Sequence, residues 1–148
     1  YGANAHDADD IEGLCGWFGP YGQRVPYPLN AGESFLNTHR FRWGRAVLKD
    51  FLDGQRVVSV FGSSSNVFDM IDLFDRVFFL KTPHDLLRER LRSQDRANPM
   101  GRTDYQVRYC LERARQHEAV ANTLALPMID STLSPERLFL TLYPEANK

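Results

Sequence analysis

Apolar positions along the chain alternate between short β-branched or aromatic runs and helically spaced stripes. Residues Tyr1 to Asp9 read as the end of a strand running into an acidic loop. The stretch from Gly13 to Gly32 is rich in glycine and proline, which resist a long regular element, and its aromatics (Trp17, Phe18, Tyr21, Tyr27) predict a packed loop or short strands. Leu36, Trp43, Val47, Leu48 and Phe51 share one helical face, predicting a helix from about Glu33 to Leu52 that stops at Asp53-Gly54. Val57 to Phe61 is a compact run that predicts a buried strand. It is followed by the loop Gly62 to Asn66 and a short helix over Val67 to Phe74.

Arg76 to Thr82 predicts the next strand, with Val77 to Leu80 buried. Pro83 suits the first turn of a helix running to about Gln94, with Leu87 and Leu91 inward. Asp95 to Arg102 is a polar loop, and Thr103 caps a long helix to about Leu124 whose stripe is Val107, Cys110, Leu111, Ala114, Ala121 and Leu124. Leu126 to Thr132 is a last short strand, and Ser134-Pro135 opens a final helix. This alternation predicts an α/β domain with a mainly parallel sheet of about four strands between two helical layers.

Composition changes this picture little. A length of 148 residues, 43% hydrophobic and 25% charged, suits one globular domain. A net charge of -1 gives no electrostatic case for non-specific nucleic-acid binding, although a local basic patch would serve phosphorylated small molecules. Cys15 and Cys110 cannot form a disulfide scaffold and read as reduced thiols of a cytoplasmic protein. There is no apolar run of membrane-spanning length and no signal peptide, and because the first residue is Tyr1 the chain is expected to be processed or part of a longer reading frame.

In an open parallel sheet, ligands gather at the carboxyl ends of the strands. Three loops leave such ends. In the first, Asp7, Asp9 and Asp10 are candidates to hold magnesium through water or to accept a proton, the alternative being that Asp9 or Asp10 caps a helix beginning at Ile11. In the second, Gly62 permits close approach to the backbone, and Ser63 and Ser64 offer hydroxyls to a substrate; a plain turn is the alternative. The third carries Asp130, Ser131 and Thr132. Five arginines, Arg88, Arg90, Arg92, Arg96 and Arg102, surround the loop Asp95 to Arg102, which has the composition of a mobile lid. Arg88 and Arg92 suit a solvated helix face, which leaves Arg96 and Arg102 as phosphate-binding candidates. The four histidines do not cluster, no His–Cys pair has metal-ligand spacing, and no nucleophile elbow is present.

The segments HDADD (His6 to Asp10), VVSVFGSSSN (Val57 to Asn66), LFDRVFFLKTP (Leu73 to Pro83), LLRERL (Leu86 to Leu91), NPMGR (Asn98 to Arg102) and MIDST (Met128 to Thr132) occur in an order that resembles the P-loop kinase-like ATPases. These are the small-molecule kinases of the shikimate, gluconate and adenylate type. The resemblance runs from about Ala3 to Tyr143. It implies a three-layer α/β/α fold and ATP- and Mg2+-dependent phosphoryl transfer to the hydroxyl of a small-molecule acceptor. It further implies that Asp7 and Asp9 face substrate or magnesium, that Gly62, Ser63 and Ser64 face the acceptor, that Arg96 or Arg102 reaches ATP phosphates, and that Asp130, Ser131 and Thr132 lie near adenine. Two departures stand out. Gln94 replaces an arginine that many relatives carry, and the 148 residues contain no Gly-x-x-x-x-Gly-Lys-Ser/Thr loop. In the family that loop belongs to a first strand and helix ahead of the position of Tyr1, so this chain is expected to lack both and to bind ATP weakly or not at all. The alternative is a non-catalytic ligand- or partner-binding domain.

Overall fold

The computed structural model describes residues 3–147, so the start of the first predicted strand, Tyr1 and Gly2, lies outside the described residues. These residues form a mixed α/β structure in two compact units that divide between Asp75 and Arg76.

In the N-terminal unit, β1 (Ala5–Asp7) pairs in parallel with β5 (Ser59–Phe61) in the register Ala5↔Ser59, His6↔Val60 and Asp7↔Phe61. The predicted strand over 57–61 is therefore shorter than its apolar run. Val57 is 70% exposed, because pairing begins only where the Ser59 amide donates to the Asn4 carbonyl. The acidic loop forms a single turn of 3-10 helix, Ala8–Asp10, capped by Asp7 and not by Asp9 or Asp10: the Asp9 amide donates to Asp7 Oδ1 at 2.9 Å.

The glycine- and aromatic-rich stretch contains β2 (Cys15–Phe18) and β3 (Arg24–Val25), an antiparallel hairpin. The helix predicted from Glu33 to Leu52 is interrupted. Helix α1 (Glu33–Thr38) ends at His39, β4 (Arg40–Trp43) pairs antiparallel with β2, and α2 (Arg45–Asp53) restarts after Gly44. Tertiary pairing wins because Arg-Phe-Arg-Trp also satisfies a period of two: Arg40 and Arg42 are exposed, while Phe41 is half-buried and Trp43 buried. Leu36, Trp43 and Leu48 are buried in either reading. The core joins Ala8, Ile11, Leu14, Trp43, Leu48 and Met70, the last from a 3-10 helix over Val67–Leu73.

In the C-terminal unit, β6 (Phe79–Lys81) pairs in parallel with β7 (Met128–Asp130). Among the described residues parallel pairing is thus confined to two two-stranded ladders, and the order β3-β2-β4 adds an antiparallel sheet that alternation alone did not predict. The local stop and start signals are followed closely. Pro83 precedes α3 (His84–Arg92), Thr103 caps α4 (Asp104–Thr123) by accepting from the Gln106 amide, and Ser134 caps α5 (Pro135–Leu142). Leu91, Val107 and Leu111 are the buried contacts joining α3 to α4. The burial expected of Val77 to Leu80 is not reached: Val77, Phe78 and Phe79 are half-buried and Leu80 is exposed, because β6 has a ladder partner on one side only, and the α4 stripe is likewise open at Leu124.

One pH effect follows from this packing. Burial, and then the nearby Arg113 guanidinium, push the His117 imidazole below its usual 6.5. The unfolded chain therefore takes up a proton near its ordinary pKa that the folded unit refuses. The stability from this residue is fully present above that pKa and is lost as pH falls through the lower folded value. Urea unfolding midpoints should fall between pH 8 and pH 5, and His117→Gln should remove part of that fall. An identical decline in both proteins would assign it to other groups.

Candidate functional site

At the carboxyl end of the β1–β5 ladder, the Asp7↔Phe61 pairing sets the acidic turn beside the loop that starts at Gly62. Gly62 has φ 153°, and a Cβ there would lie 2.8 Å from Ala8 Cβ and 2.9 Å from Trp43 Cζ2. Only glycine fits this approach. The loop is fastened to β4 at three points. The Ser65 amide donates to the Phe41 carbonyl (2.8 Å), Asn66 Oδ1 accepts from the Trp43 amide (2.9 Å), and Asn66 Nδ2 donates to the Trp43 carbonyl (3.0 Å). The asparagine side chain thereby extends the strand edge as a further peptide group would.

Ser64 is buried, and its hydroxyl donates to Asn66 Oδ1 at 3.0 Å. It stabilises the loop and does not offer its proton outward. Gly62 and Ser63 are the exposed members of the candidate trio. Sequence reasoning missed Asn66, whose role depends on a strand edge more than twenty residues away.

Asp7 and Asp9 are both exposed on the turn. Partial burial, and then the adjacent Asp7 carboxylate, raise the Asp9 carboxyl above its ordinary value. Behind them the Cys15 thiol donates to the Ala8 carbonyl at 3.2 Å and is pushed up to about 12 by burial and the Asp9 charge. Burial likewise pushes the Cys110 thiol up to about 11. Neither supplies a thiolate near neutral pH. The indole Nε1 of Trp43 has no hydrogen-bond partner among the described residues although it is buried. No group of three or more His, Cys, Asp or Glu side chains among the described residues converges to hold a metal ion.

The C-terminal unit brings together the ends of β6 and β7. The Thr82 and Ser131 hydroxyls share a 2.7 Å hydrogen bond, and Asp130 Oδ1 accepts from both the hydroxyl (2.7 Å) and the amide (2.8 Å) of Thr132. These bonds hold the Asp130 carboxyl below its usual range. Thr82 was not foreseen, because only its pairing with Ser131 draws it into this corner.

In the loop Asp95 to Arg102, both candidate guanidinium groups turn onto the loop itself. Arg96 Nη1 donates to the Met100 carbonyl, and Arg102 Nη2 to the Arg96 carbonyl, each at 2.6 Å. The fully buried Gln106 ties the loop to α4 by accepting from the Gly101 (3.0 Å) and Arg102 (2.8 Å) amides. A signal for this was present: Thr-x-x-Gln is a capping-box pattern, here reaching one and two residues further back than the cap. Arg92, Gln94, Gly101, Arg102, Thr103 and Asp104 line a concavity of about 370 Å³ at this end of α4.

No helix among the described residues is long and apolar enough to cross a membrane. Comparison of the chain with protein-family models, with curated proteins and with solved structures finds no match.

Proposed function

We propose that this chain is the greater part of a P-loop kinase-like domain of three-layer α/β/α type, whose parent transfers a phosphoryl group from ATP to the hydroxyl of a small molecule. The observation that carries the reading is the Asp7↔Phe61 register, which puts the acidic turn and the close-approach glycine at one carboxyl edge of a parallel ladder. In that role Gly62 and Ser63 would receive the acceptor, while Asp7 or Asp9 would take its proton. The two carboxylates suit magnesium, which binds through one or two carboxylates and keeps several waters. A cation there would also offset the Asp7 repulsion that, after burial, raises Asp9. In the other unit, Arg96 and Arg102 would serve the phosphates after leaving their loop carbonyls, and Asp130, Ser131 and Thr132 would border the base.

The 148 residues contain no Gly-x-x-x-x-Gly-Lys-Ser/Thr loop, so under this reading the chain by itself is expected to bind ATP weakly and turn over none. The self-bonded lid arginines favour the second reading, a non-catalytic binding domain. ATP binding and hydrolysis, measured for this chain and for a chain extended by a first strand, P-loop and helix, separate the two. Under the kinase reading the extension restores binding and turnover. Asp7→Asn, which can still cap the 3-10 turn, should then lower turnover without loss of stability. Truncation to alanine of whichever lid arginine contacts the transferring phosphate should cost about 2–4 kcal/mol of transition-state stabilisation. An extended chain with an intact loop that binds no ATP leaves the binding-domain reading.

A further inference from the structure

We propose that one face of the β3-β2-β4 sheet binds a phosphate monoester whose organic part carries a ring. Directly paired residues of antiparallel strands share a face. The pairs Phe18↔Arg24, Phe18↔Arg40 and Gly16↔Arg42 therefore place Gly16, Phe18, Arg24, Arg40 and Arg42 together. These five strand positions hold three cations and no carboxylate. None of the three arginines makes an ion pair among the described residues.

The geometry is more specific than a basic surface. Arg24 starts opposite Phe18, but its side chain lies back over Gly16, where a Cβ would come within 2.8 Å of Nε and 3.0 Å of Cζ. Its Nη2 donates to the Cys15 carbonyl, which holds the guanidinium flat over the strand. Across the ladder from Gly16 stands Arg42, exposed, with a side chain that has no partner among the described residues. Arg24 over Gly16 and Arg42 in register with Gly16 thus share one face, and neither makes an ion pair among the described residues. Arg40 borders the site with part of its donor set used, Nη1 donating to the His39 (2.9 Å), Asn37 (3.1 Å) and Leu36 (3.4 Å) carbonyls at the end of α1. The guanidinium forks suit the several oxygens of a phosphate dianion, and the half-buried Phe18 ring supplies an apolar surface beside it.

The opposite face is packed. Trp17 lies 5.1 Å from Tyr27, 5.4 Å from Phe35 and 5.6 Å from Phe41, centroid to centroid, so the sheet is a firm platform. A single exposed-face ring favours a small molecule over single-stranded nucleic acid, which stacks successive bases on several aromatics. The site stands on these residues alone and does not depend on ATP binding.

The test is titration of the full chain with phenyl phosphate, followed by calorimetry and by amide and arginine Nε resonances. Saturable binding is expected, tighter than that of inorganic phosphate, with shifts centred on Gly16, Arg24 and Arg42. Arg42→Gln and Gly16→Ala should each raise Kd at least about tenfold, the scale of one lost charge-assisted hydrogen bond. Arg137→Gln, on α5, should leave it unchanged, and Phe18→Leu should erase the preference over inorganic phosphate. Should Gly16→Ala perturb folding, Arg42→Gln still decides, since that side chain has no partner to lose among the described residues. Absence of saturable binding, or equal weakening by Arg137→Gln, overturns the proposal. So does capture of a dT oligonucleotide of about 12 nucleotides by these arginines without binding of phenyl phosphate.

Discussion

Gly62→Val is expected to destabilise the protein by about 3 kcal/mol, the sum of a strained backbone and an overfilled contact, each costing about 1–3 kcal/mol. Gly62 is exposed, so a survey of surface positions would pass it as tolerant. The backbone says otherwise: φ is 153°, and the new Cβ would press on Ala8 Cβ at 2.8 Å and Trp43 Cζ2 at 2.9 Å. Neither neighbour can yield easily. Ala8 is fully buried, and Trp43 is fixed in the core and held at its backbone by Asn66. The cost should appear in the urea midpoint with an unchanged m-value. It should also broaden the resonances of the Asp7 turn, which shares this corner. A loss below about 0.5 kcal/mol, typical of an ordinary surface change, would mean the glycine is not constrained as described.

Gln106→Leu should have an effect of similar size by a different route. The side chain is completely buried, and its Oε1 receives two amides, those of Gly101 and Arg102. Leucine keeps the volume and removes the acceptor. Each amide left without a partner costs about 1–3 kcal/mol, so a loss of about 2–4 kcal/mol is expected. Gly101 must itself stay glycine, since φ is 99° and a Cβ there would lie 2.7 Å from the Leu91 carbonyl oxygen. Hydrogen exchange at Gly101 and Arg102 should be slow in the parent chain and fast in the variant, whereas the middle of α4 changes little. Gln106→Glu supplies the control, because a carboxylate still accepts both amides. If Glu and Leu behave alike, burial of charge or packing governs the site and the two amide bonds do not.

These effects bear on the kinase-like reading. Under that reading a loop tied at Gly101 and Arg102 would leave movement to the residues before them, and closure over a ligand would begin with release of Arg96 from the Met100 carbonyl. Likewise Ser64 is committed to Asn66, which narrows the outward-facing candidates at the glycine loop to Gly62 and Ser63.

What the sequence determined by itself was mostly local chemistry. Thr103 and Ser134 cap their helices because the accepting oxygen and the donor amide are three residues apart, and Pro83 and Pro135 sit where a missing N–H costs nothing. The β-branched and aromatic content of Val57 to Phe61 announced a strand, of which only Ser59–Phe61 pairs, and the Asp7↔Phe61 register brings the acidic turn beside Gly62. Only the tertiary structure decided the rest. Residues 33–52 bury Leu36, Trp43 and Leu48 whether they run as one helix or as helix, strand and helix, so hydrophobic spacing could not choose; pairing of β4 with Cys15 to Phe18 did. That pairing created the edge that Asn66 completes and the face on which Arg24 lies over Gly16 toward Arg42. Each of these depends on partners distant in sequence, and a residue's own type carries no record of which strand will come to lie beside it.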